Sequence, residues 1–232
     1  MTLMNGSLMV INFGIKMFLT YKGSVMKKTI LFLVLILIGC STTESSLKLE
    51  ASRDKELMKA KQYNDLGLAY DKKAKYKTAL KYHYKALRIY RKVLGEHIYT
   101  AISYNNIGLV HFHQGKYKMA MRYYFNVLKI EEKVLGKEHS STATTYNNIG
   151  VVFYHQGKYE KALRYYFIAL KIRKRILGEK HPAIAEIYNN IGAIHSSRSK
   201  YEKALKYFFK SAHYYELMGN DLWVIKDISS TY

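Results

Sequence analysis

The pentapeptide Tyr-Asn-Asn-Ile-Gly occurs three times, at residues 104–108, 146–150 and 188–192, so that successive copies are 42 residues apart. A diverged copy, Tyr-Asn-Asp-Leu-Gly, occupies residues 63–67 and precedes the first of these by 41 residues. Self-similarity at such a period is typical of repeat architectures, in which each unit buries its apolar face against its neighbours. The sequence therefore predicts about four structural repeats. We number the glycine of each copy repeat position 8.

Each repeat has the pattern of two helices joined by a short turn. In the second repeat, helix A is predicted from Ala101 to about Gln114, with Gly115 as its C-cap. Helix B is predicted from Lys118 to about Leu135. The connections between repeats share a histidine that we expect to be a loop or capping residue. These histidines are His97, His139 and His181. Pro182 is expected in the first turn of the next helix A, where its missing N–H is harmless.

Small and aromatic residues keep a fixed register in all four copies. Position 8 is glycine, position 20 is alanine, and position 24 is aromatic or histidine. The residues are Gly67, Ala79 and His83; Gly108, Ala120 and Tyr124; Gly150, Ala162 and Tyr166; and Gly192, Ala204 and Phe208. This register resembles the tetratricopeptide repeat, in the 42-residue form found in kinesin light chains, over residues 60–212. The resemblance implies an all-α, right-handed α-solenoid of about four helix-turn-helix repeats, with the alanines opposite the glycines where helices A and B approach.

The predicted repeat domain covers residues 53–217 of the 232-residue chain. Its repeats are expected at about residues 60–100, 101–142, 143–184 and 185–217. The remaining residues, 218–232, look like the start of another repeat and are predicted to form an incomplete cap or a truncated fifth repeat. Apolar residues make up 49% of the chain, which suffices for a packed core.

The N-terminal residues have the pattern of a targeting segment. Lysines follow Met26, and an apolar run from Ile30 to Ile38 comes next. This run is too short to span a bilayer as a helix but has the length of a signal-peptide core. The sequence Leu-Ile-Gly-Cys that ends at Cys40 resembles the lipobox of bacterial lipoproteins, which implies lipidation of Cys40. Residues 1–39 are thus predicted to be an upstream extension and a signal peptide, with Met26 as the true start.

Residues 40–52 are predicted to be the lipidated cysteine and a polar tether. The resemblance to lipoproteins implies a lipid-anchored protein of the bacterial cell envelope, at the outer membrane if the cell has two. If residues 1–39 are not processed, the alternative is a cytoplasmic protein. With a single cysteine, the chain can form neither an internal disulfide nor a cysteine-rich metal site.

In the tetratricopeptide family, helix A lines a concave groove that takes peptides or partner helices, through positions such as 2, 5, 9, 12 and 13. Carried over residue by residue, the predicted groove residues are Asn64, Asn105, Asn106, Asn147, Asn148, Asn189, Asn190, Phe112 and Tyr154. Asparagine is a poor helix former, so its recurrence indicates a purpose. An amide can donate and accept, which suits binding the backbone of an extended ligand. Alternatively, these amides bond between adjacent A helices and stabilise the superhelix.

The function predicted from these features is a protein-binding scaffold or adaptor. No catalytic or cofactor motif occurs, and His111 and His113 are two residues apart and face different ways on a helix. We therefore expect no enzyme, no cofactor and no metal site. Repeats of this type also resemble the periplasmic front ends of bacterial signalling proteins, so a truncated sensory or regulatory module is the alternative.

The net charge of the chain is +21, and it falls to +17 without residues 1–39, which contain four lysines and no acid. A solvated outer face accounts for this charge, and binding to anionic lipid, envelope polymer or acidic partners is the more specific interpretation. Nucleic acid is not expected as a partner, since no base-reading module is present.

Overall fold

The computed structural model describes residues 24–178 and 181–213, with side chains from residue 45 onward, and every regular element in these ranges is an α-helix. The elements are α1 (Ser24–Lys72), α2 (Tyr76–Leu94), α3 (Ile98–His113), α4 (Tyr117–Val134), α5 (Ser140–His155), α6 (Tyr159–Leu177), α7 (Pro182–Ser197) and α8 (residues 201–213). The predicted all-α class and the four-repeat pattern are confirmed. The end of α1 and the helices α3, α5 and α7 are the A helices, and α2, α4, α6 and α8 are the B helices.

The chain divides into two compact units, residues 1–58 and 59–232, and the repeats lie in the second. The predicted tether, residues 40–52, is helical, and its side chains from residue 45 onward are exposed. The side chain of the predicted lipidation site, Cys40, and the predicted cap at residues 218–232 lie outside the described residues. Within the described part, no helix is both long enough and apolar enough to span a bilayer.

The A helices begin about three residues earlier than predicted, because the recurring histidines act as N-caps. The Nδ1 atom of His97 accepts a hydrogen bond from the Tyr99 amide. His139 and His181 accept in the same way from the amides of Ser141 and Ala183. A side chain that accepts from a first-turn N–H satisfies one of the donors that a helix start leaves unpaired. The predicted capping role of these histidines is confirmed, and Pro182 lies in the first turn of α7.

Glycine at position 8 lets a ring from helix B lie directly against helix A. A Cβ added at Gly150 would come within 2.6 Å of the Tyr166 ring, and one added at Gly108 within 3.0 Å of the Tyr124 ring. The position-20 alanines were expected opposite these glycines. They are buried, but the atoms nearest each glycine belong mainly to the position-24 ring. The glycine therefore accommodates an aromatic ring, and the alanine fills the core beside it.

A second ring pair joins helices A and B in every repeat, between positions 11 and 23. The ring centroids lie 5.3–5.5 Å apart and the rings are nearly parallel, as expected for offset stacking. The pairs are Tyr70–Tyr82, His111–Tyr123, Phe153–Tyr165 and His195–Tyr207. The stacking on helix A accounts for position 23, and the contact with the glycine accounts for position 24. These are two of the three consecutive ring-bearing positions of helix B.

Candidate functional site

The A helices carry a periodic set of residues, which we call the A face and define by repeat positions 2, 5, 6, 9, 12 and 13; its members range from exposed to buried. Position 9 is apolar in every repeat: Leu68, Leu109, Val151 and Ala193. Leu68 is exposed and the other three are half-buried. This apolar row follows the glycine directly in sequence; position 9 is a groove position in the tetratricopeptide family, but none of its four residues was among the predicted groove residues. On either side of the row, the A helices are joined to one another by polar or aromatic contacts.

The first set of contacts is an amide ladder between positions 5 and 6 of successive A helices. Asn190 donates from Nδ2 to the Asn147 carbonyl oxygen at 3.1 Å. Asn148 donates to the Asn105 carbonyl oxygen at 3.5 Å, which is a longer and weaker bond. Because each bond crosses from one repeat to the next, these amides fix the relative position of adjacent A helices.

Two members of the predicted asparagine set are engaged on both sides of the amide. Asn64 donates to the Ser103 hydroxyl at 2.9 Å, and its carbonyl oxygen lies 3.0 Å from Nδ1 of His83. Asn147 accepts from Asn190 and donates to Glu186 at 3.0 Å. Both side chains are buried, at 6% and 2% exposure. Their geometry supports the interpretation in which the amides stabilise the superhelix.

The other predicted asparagines differ in accessibility. Asn106 is buried at 7% exposure, Asn105, Asn148 and Asn190 are half-buried, and Asn189 is exposed. A ligand on the A face could therefore reach the Asn189 amide without displacing a bond between repeats. Asparagines at the same repeat position therefore differ in how accessible they are to a ligand.

The second set of contacts joins position 12 of one A helix to position 13 of the next, with different chemistry at each junction. At the first junction, His113 Nδ1 lies 3.1 Å from an oxygen of the nearly buried Asp71 carboxylate. At the second, the rings of Phe112 and His155 meet edge to face, with centroids 5.0 Å apart. At the third, the hydroxyls of Tyr154 and Ser197 lie 3.1 Å apart. Phe112 and Tyr154, both predicted groove residues, are half-buried here.

A buried arginine ties the third and fourth repeats together. Arg173, on α6, is 5% exposed and donates to the Ala183 carbonyl at 2.6 Å. It also contacts Glu186 at 3.1 Å and the Thr144 hydroxyl at 3.3 Å. Since Glu186 accepts from Asn147, the arginine and the amide ladder form one network across α5, α6 and α7. Arg173 was not predicted, because its neighbours lie up to 29 residues away in sequence.

Burial shifts the pKa of several titratable side chains in the repeat domain. Burial lowers the pKa of His83 to about 4, partly offset by the charge of Asp71. Burial also lowers the pKa of His111 and His195, both of which stack on tyrosines. The pKa of the Glu131 carboxyl is raised, again chiefly by burial. Among the described residues, no three histidine, cysteine or acidic side chains are grouped as metal ligands.

The family model described as tetratricopeptide repeat matches residues 60–124, 99–167 and 141–212, which together span residues 60–212. No curated protein gives a significant match to the sequence. The helices superpose on the crystal structure of BtubC (BKLC) from P. vanneervenii with a TM-score of 0.63 and 19% identity, over 93% of this chain and 90% of that chain.

Two further solved structures share the fold. The TPR-like repeats of a Podosopora anserina protein described as a kinesin light chain match with a TM-score of 0.59 and 16% identity, over 69% of this chain and 76% of that one. Aspartyl phosphate phosphatase F from Bacillus subtilis matches with a TM-score of 0.64 and 19% identity, over 73% of this chain but only 43% of its own. At these identities the likeness concerns the fold alone.

Proposed function

The chain belongs to the tetratricopeptide-repeat family, and on that premise we propose that it is a non-catalytic scaffold that binds an extended peptide along the A face. Repeats of this family bind peptide or protein partners, and the A face offers the surface for it. The observation that carries the proposal is the apolar row at position 9, which runs between two sets of contacts that hold the A helices in register. An extended segment could place apolar side chains on this row and bond its backbone to amides beside it.

The composition of the A face favours a ligand of low charge. Position 9 is apolar throughout. At positions 5 and 6, a ligand can reach the exposed Asp65 and Asn189 and the half-buried Asn105, Asn148 and Asn190. Peptide groups can bond with such amides regardless of sequence, whereas the apolar row selects which side chains follow. We therefore expect partner segments that are extended, with apolar side chains at intervals and few charges.

A selection with random nonapeptides tests this proposal. Peptides selected by the wild-type protein should bind Leu68→Glu at least about tenfold more weakly, because a charge would then stand in the apolar row. Ile168→Glu is the matched control, since this similarly exposed isoleucine lies on helix B. Equal loss in both variants, or no selected peptides, would contradict binding at the A face.

The two interpretations of the asparagines can be separated with single alanine substitutions. Asn189→Ala should weaken peptide binding and leave the melting temperature nearly unchanged, because this side chain is exposed. Asn147→Ala should lower the free energy of unfolding by about 1–3 kcal/mol, because it removes a buried amide and both of its bonds to the next repeat. If Asn189→Ala binds every selected peptide as the wild type does, the asparagines have a structural role only.

We also propose that the protein is anchored to the bacterial envelope through acylated Cys40. The apolar run before this cysteine and the lipobox-like sequence support the proposal. Two or more acyl chains give stable attachment, whereas one chain gives marginal binding. Intact-mass measurement and fractionation, beside Cys40→Ser, should find a mature chain that begins at acylated Cys40 in the membrane fraction. A soluble chain that retains residues 1–39 would refute the anchor.

A further inference from the structure

The outward face of every B helix carries an aromatic residue at position 25 between two basic positions, 22 and 29. Residues three and seven apart lie on one side of a helix. The first three repeats have complete sets: Lys81, Tyr84 and Arg88; Arg122, Phe125 and Lys129; Arg164, Phe167 and Lys171. The fourth has Lys206 and Phe209. We call these eleven side chains the basic–aromatic stripe, and all of them are exposed.

Packing explains the neighbouring aromatics in helix B but not those of the stripe. Position 23 stacks on helix A and position 24 covers the glycine, whereas the position-25 rings are 41% (Tyr84), 42% (Phe125), 44% (Phe167) and 70% (Phe209) exposed. One exposed aromatic is ordinary on a protein surface. An exposed aromatic at the same place in all four repeats, always beside a base, is periodic and therefore requires a reason of its own.

Few acidic residues lie near the stripe, and one stripe base, Lys129, is paired with an acid. Positions 21–29 contain no aspartate or glutamate in any repeat. Glu96 lies in a loop and holds Lys129 at 3.0 Å and Lys133 at 2.5 Å, which lowers its pKa to about 2. Glu131 and Glu186 bond within the repeat domain, to Thr145 and to Arg173. Apart from Lys129, whose charge Glu96 balances, the bases of the stripe have no acid among the ion pairs of the described residues.

The ring of the first set reaches the next helix B through Tyr123, a residue outside the stripe. The hydroxyls of Tyr84 and Tyr123 lie 2.7 Å apart. Burial raises the pKa of Tyr84, while the charge of Arg122 in the next set acts to lower it. The stripe thus recurs on all four B helices as a series of cations and rings.

We infer that the basic–aromatic stripe lies on an anionic lipid surface, with phosphate groups at the bases and the rings at the boundary between headgroups and acyl chains. This inference rests on the proposed envelope location. Exposed phenylalanine between lysines and arginines is the composition of surfaces that rest in a membrane interface. With the B helices on the lipid, the A face is left for peptides.

Co-flotation with vesicles tests the inference on the full chain made with Cys40→Ser. The vesicles contain either three parts phosphatidylglycerol to seven parts phosphatidylcholine or phosphatidylcholine alone. The apolar run Ile30–Ile38 is present in every variant and partitions into both, so the readout is the ratio of anionic to neutral binding. Each base near an anionic surface contributes roughly fivefold to partitioning. Exchange of the four position-22 bases for glutamine should lower the ratio at least about 30-fold.

The matched control exchanges four exposed lysines at position 16, in the turns between helices A and B, for glutamine. They are Lys75, Lys116, Lys158 and Lys200. This variant has the same net charge and should keep the ratio within about threefold of the parent, since its bases lie outside the stripe. Exchange of Phe125 and Phe167 for alanine should lower anionic binding about tenfold at unchanged helicity.

Three results would overturn the inference. In the first, the position-22 variant binds anionic vesicles as well as the parent does. In the second, the position-16 variant loses as much anionic binding as the position-22 variant, which would make net charge alone responsible. In the third, a labelled single-stranded oligonucleotide binds in a position-22-dependent manner while vesicles do not, which would assign the stripe to nucleic acid. Peptide binding at the A face and acylation of Cys40 are measured separately, so their failure is distinguishable from failure of the stripe.

Discussion

The Cβ atom that an alanine would add at position 8 meets a ring in every repeat, at 2.5–3.0 Å. The sequence identified these glycines and predicted close helix contact there. It did not identify the partner, because alanine at position 20 and an aromatic at position 24 are one helical turn apart and both face helix A. Side-chain size decides between them, since the ring extends further.

Gly150→Ala should destabilise the protein by about 1–2 kcal/mol. Overpacking against the buried Tyr166 ring costs about 1–3 kcal/mol, and the better helix propensity of alanine returns up to about 1 kcal/mol. Gly108→Ala, whose nearest ring atom is at 3.0 Å, should be close to neutral. Urea denaturation measures both. Equal effects in the two variants, or no rescue of Gly150→Ala by Tyr166→Leu, would contradict the contact.

His83 should make stability depend on pH. Its pKa is about 4 in the folded protein and about 6.5 when unfolded, so the unfolded chain binds more protons between these values. The contribution of His83 to the free energy of unfolding is therefore fully present above about pH 6.5. It is lost as the pH drops towards 4, by up to about 3 kcal/mol. Asp71 and Asn64 are the polar groups that act on the ring. His83→Phe, compared with the wild type in urea at pH 4.5 and 7.5, should remove this part of the pH dependence. If the free energy of unfolding changed equally with pH in the variant and the wild type, His83 would not be the cause.

Among the elements, the turn from helix A to helix B shows how position and residue type can conflict. This turn needs a left-handed residue, which is Gly115 (φ +70°) in the second repeat and Gly157 (φ +71°) in the third. The outer repeats place Ala74 (φ +54°) and Ser199 (φ +55°) there instead. These two residues depart from the glycine of the inner repeats. They nevertheless adopt the same left-handed backbone conformation, which is strained for a residue with a side chain.

Ala74→Gly and Ser199→Gly should each stabilise the protein by about 0.5–1 kcal/mol. Relief of left-handed strain is partly offset by the greater freedom of glycine in the unfolded chain. Thermal melts of the two variants measure the gain. The reciprocal variant, Gly157→Ala, should lose about 1 kcal/mol for the backbone alone, because an added Cβ there meets no atom within 4 Å. If Gly157→Ala were more stable than the wild type, a side chain at this left-handed position would not be strained.

At the scale of the whole molecule, the stability of a repeat array is approximately the sum of terms for each repeat and for each junction. Arg173 lies at the junction of the third and fourth repeats, where it contacts Thr144, Ala183 and Glu186. Arg173→Gln should therefore cost about 2–4 kcal/mol, because it removes a buried charge from its partners. Hydrogen exchange should show residues 182–213 losing protection before the central repeats. If all repeats lost protection equally, the effect of Arg173 would not be confined to its junction.

The sequence predicted the number and order of the repeats because these follow from residues that recur. It could not distinguish Asn64 and Asn147 from Asn189, which share position 5. Their surroundings depend on the partners they find: Ser103 of the next repeat and His83 of the same repeat for Asn64, and Glu186 of the next repeat for Asn147. Such differences arise from residues that do not recur. They emerge only when two repeats are placed side by side.

The contacts between positions 12 and 13 have a consequence for how the chain assembles. Nearly identical units risk docking onto the wrong neighbour, within one chain or between two chains. Here one junction pairs an acid with a histidine, the next pairs two rings, and the third pairs two hydroxyls. If the third unit were skipped, Phe112 would face the Ser197 hydroxyl instead of the His155 ring, whereas a skip of the second unit would set Asp71 against His155 and keep an acid–histidine pair. The junction between the second and third units thus acts as an address that only the adjoining unit matches, and part of the order of the units is encoded in the seams between them.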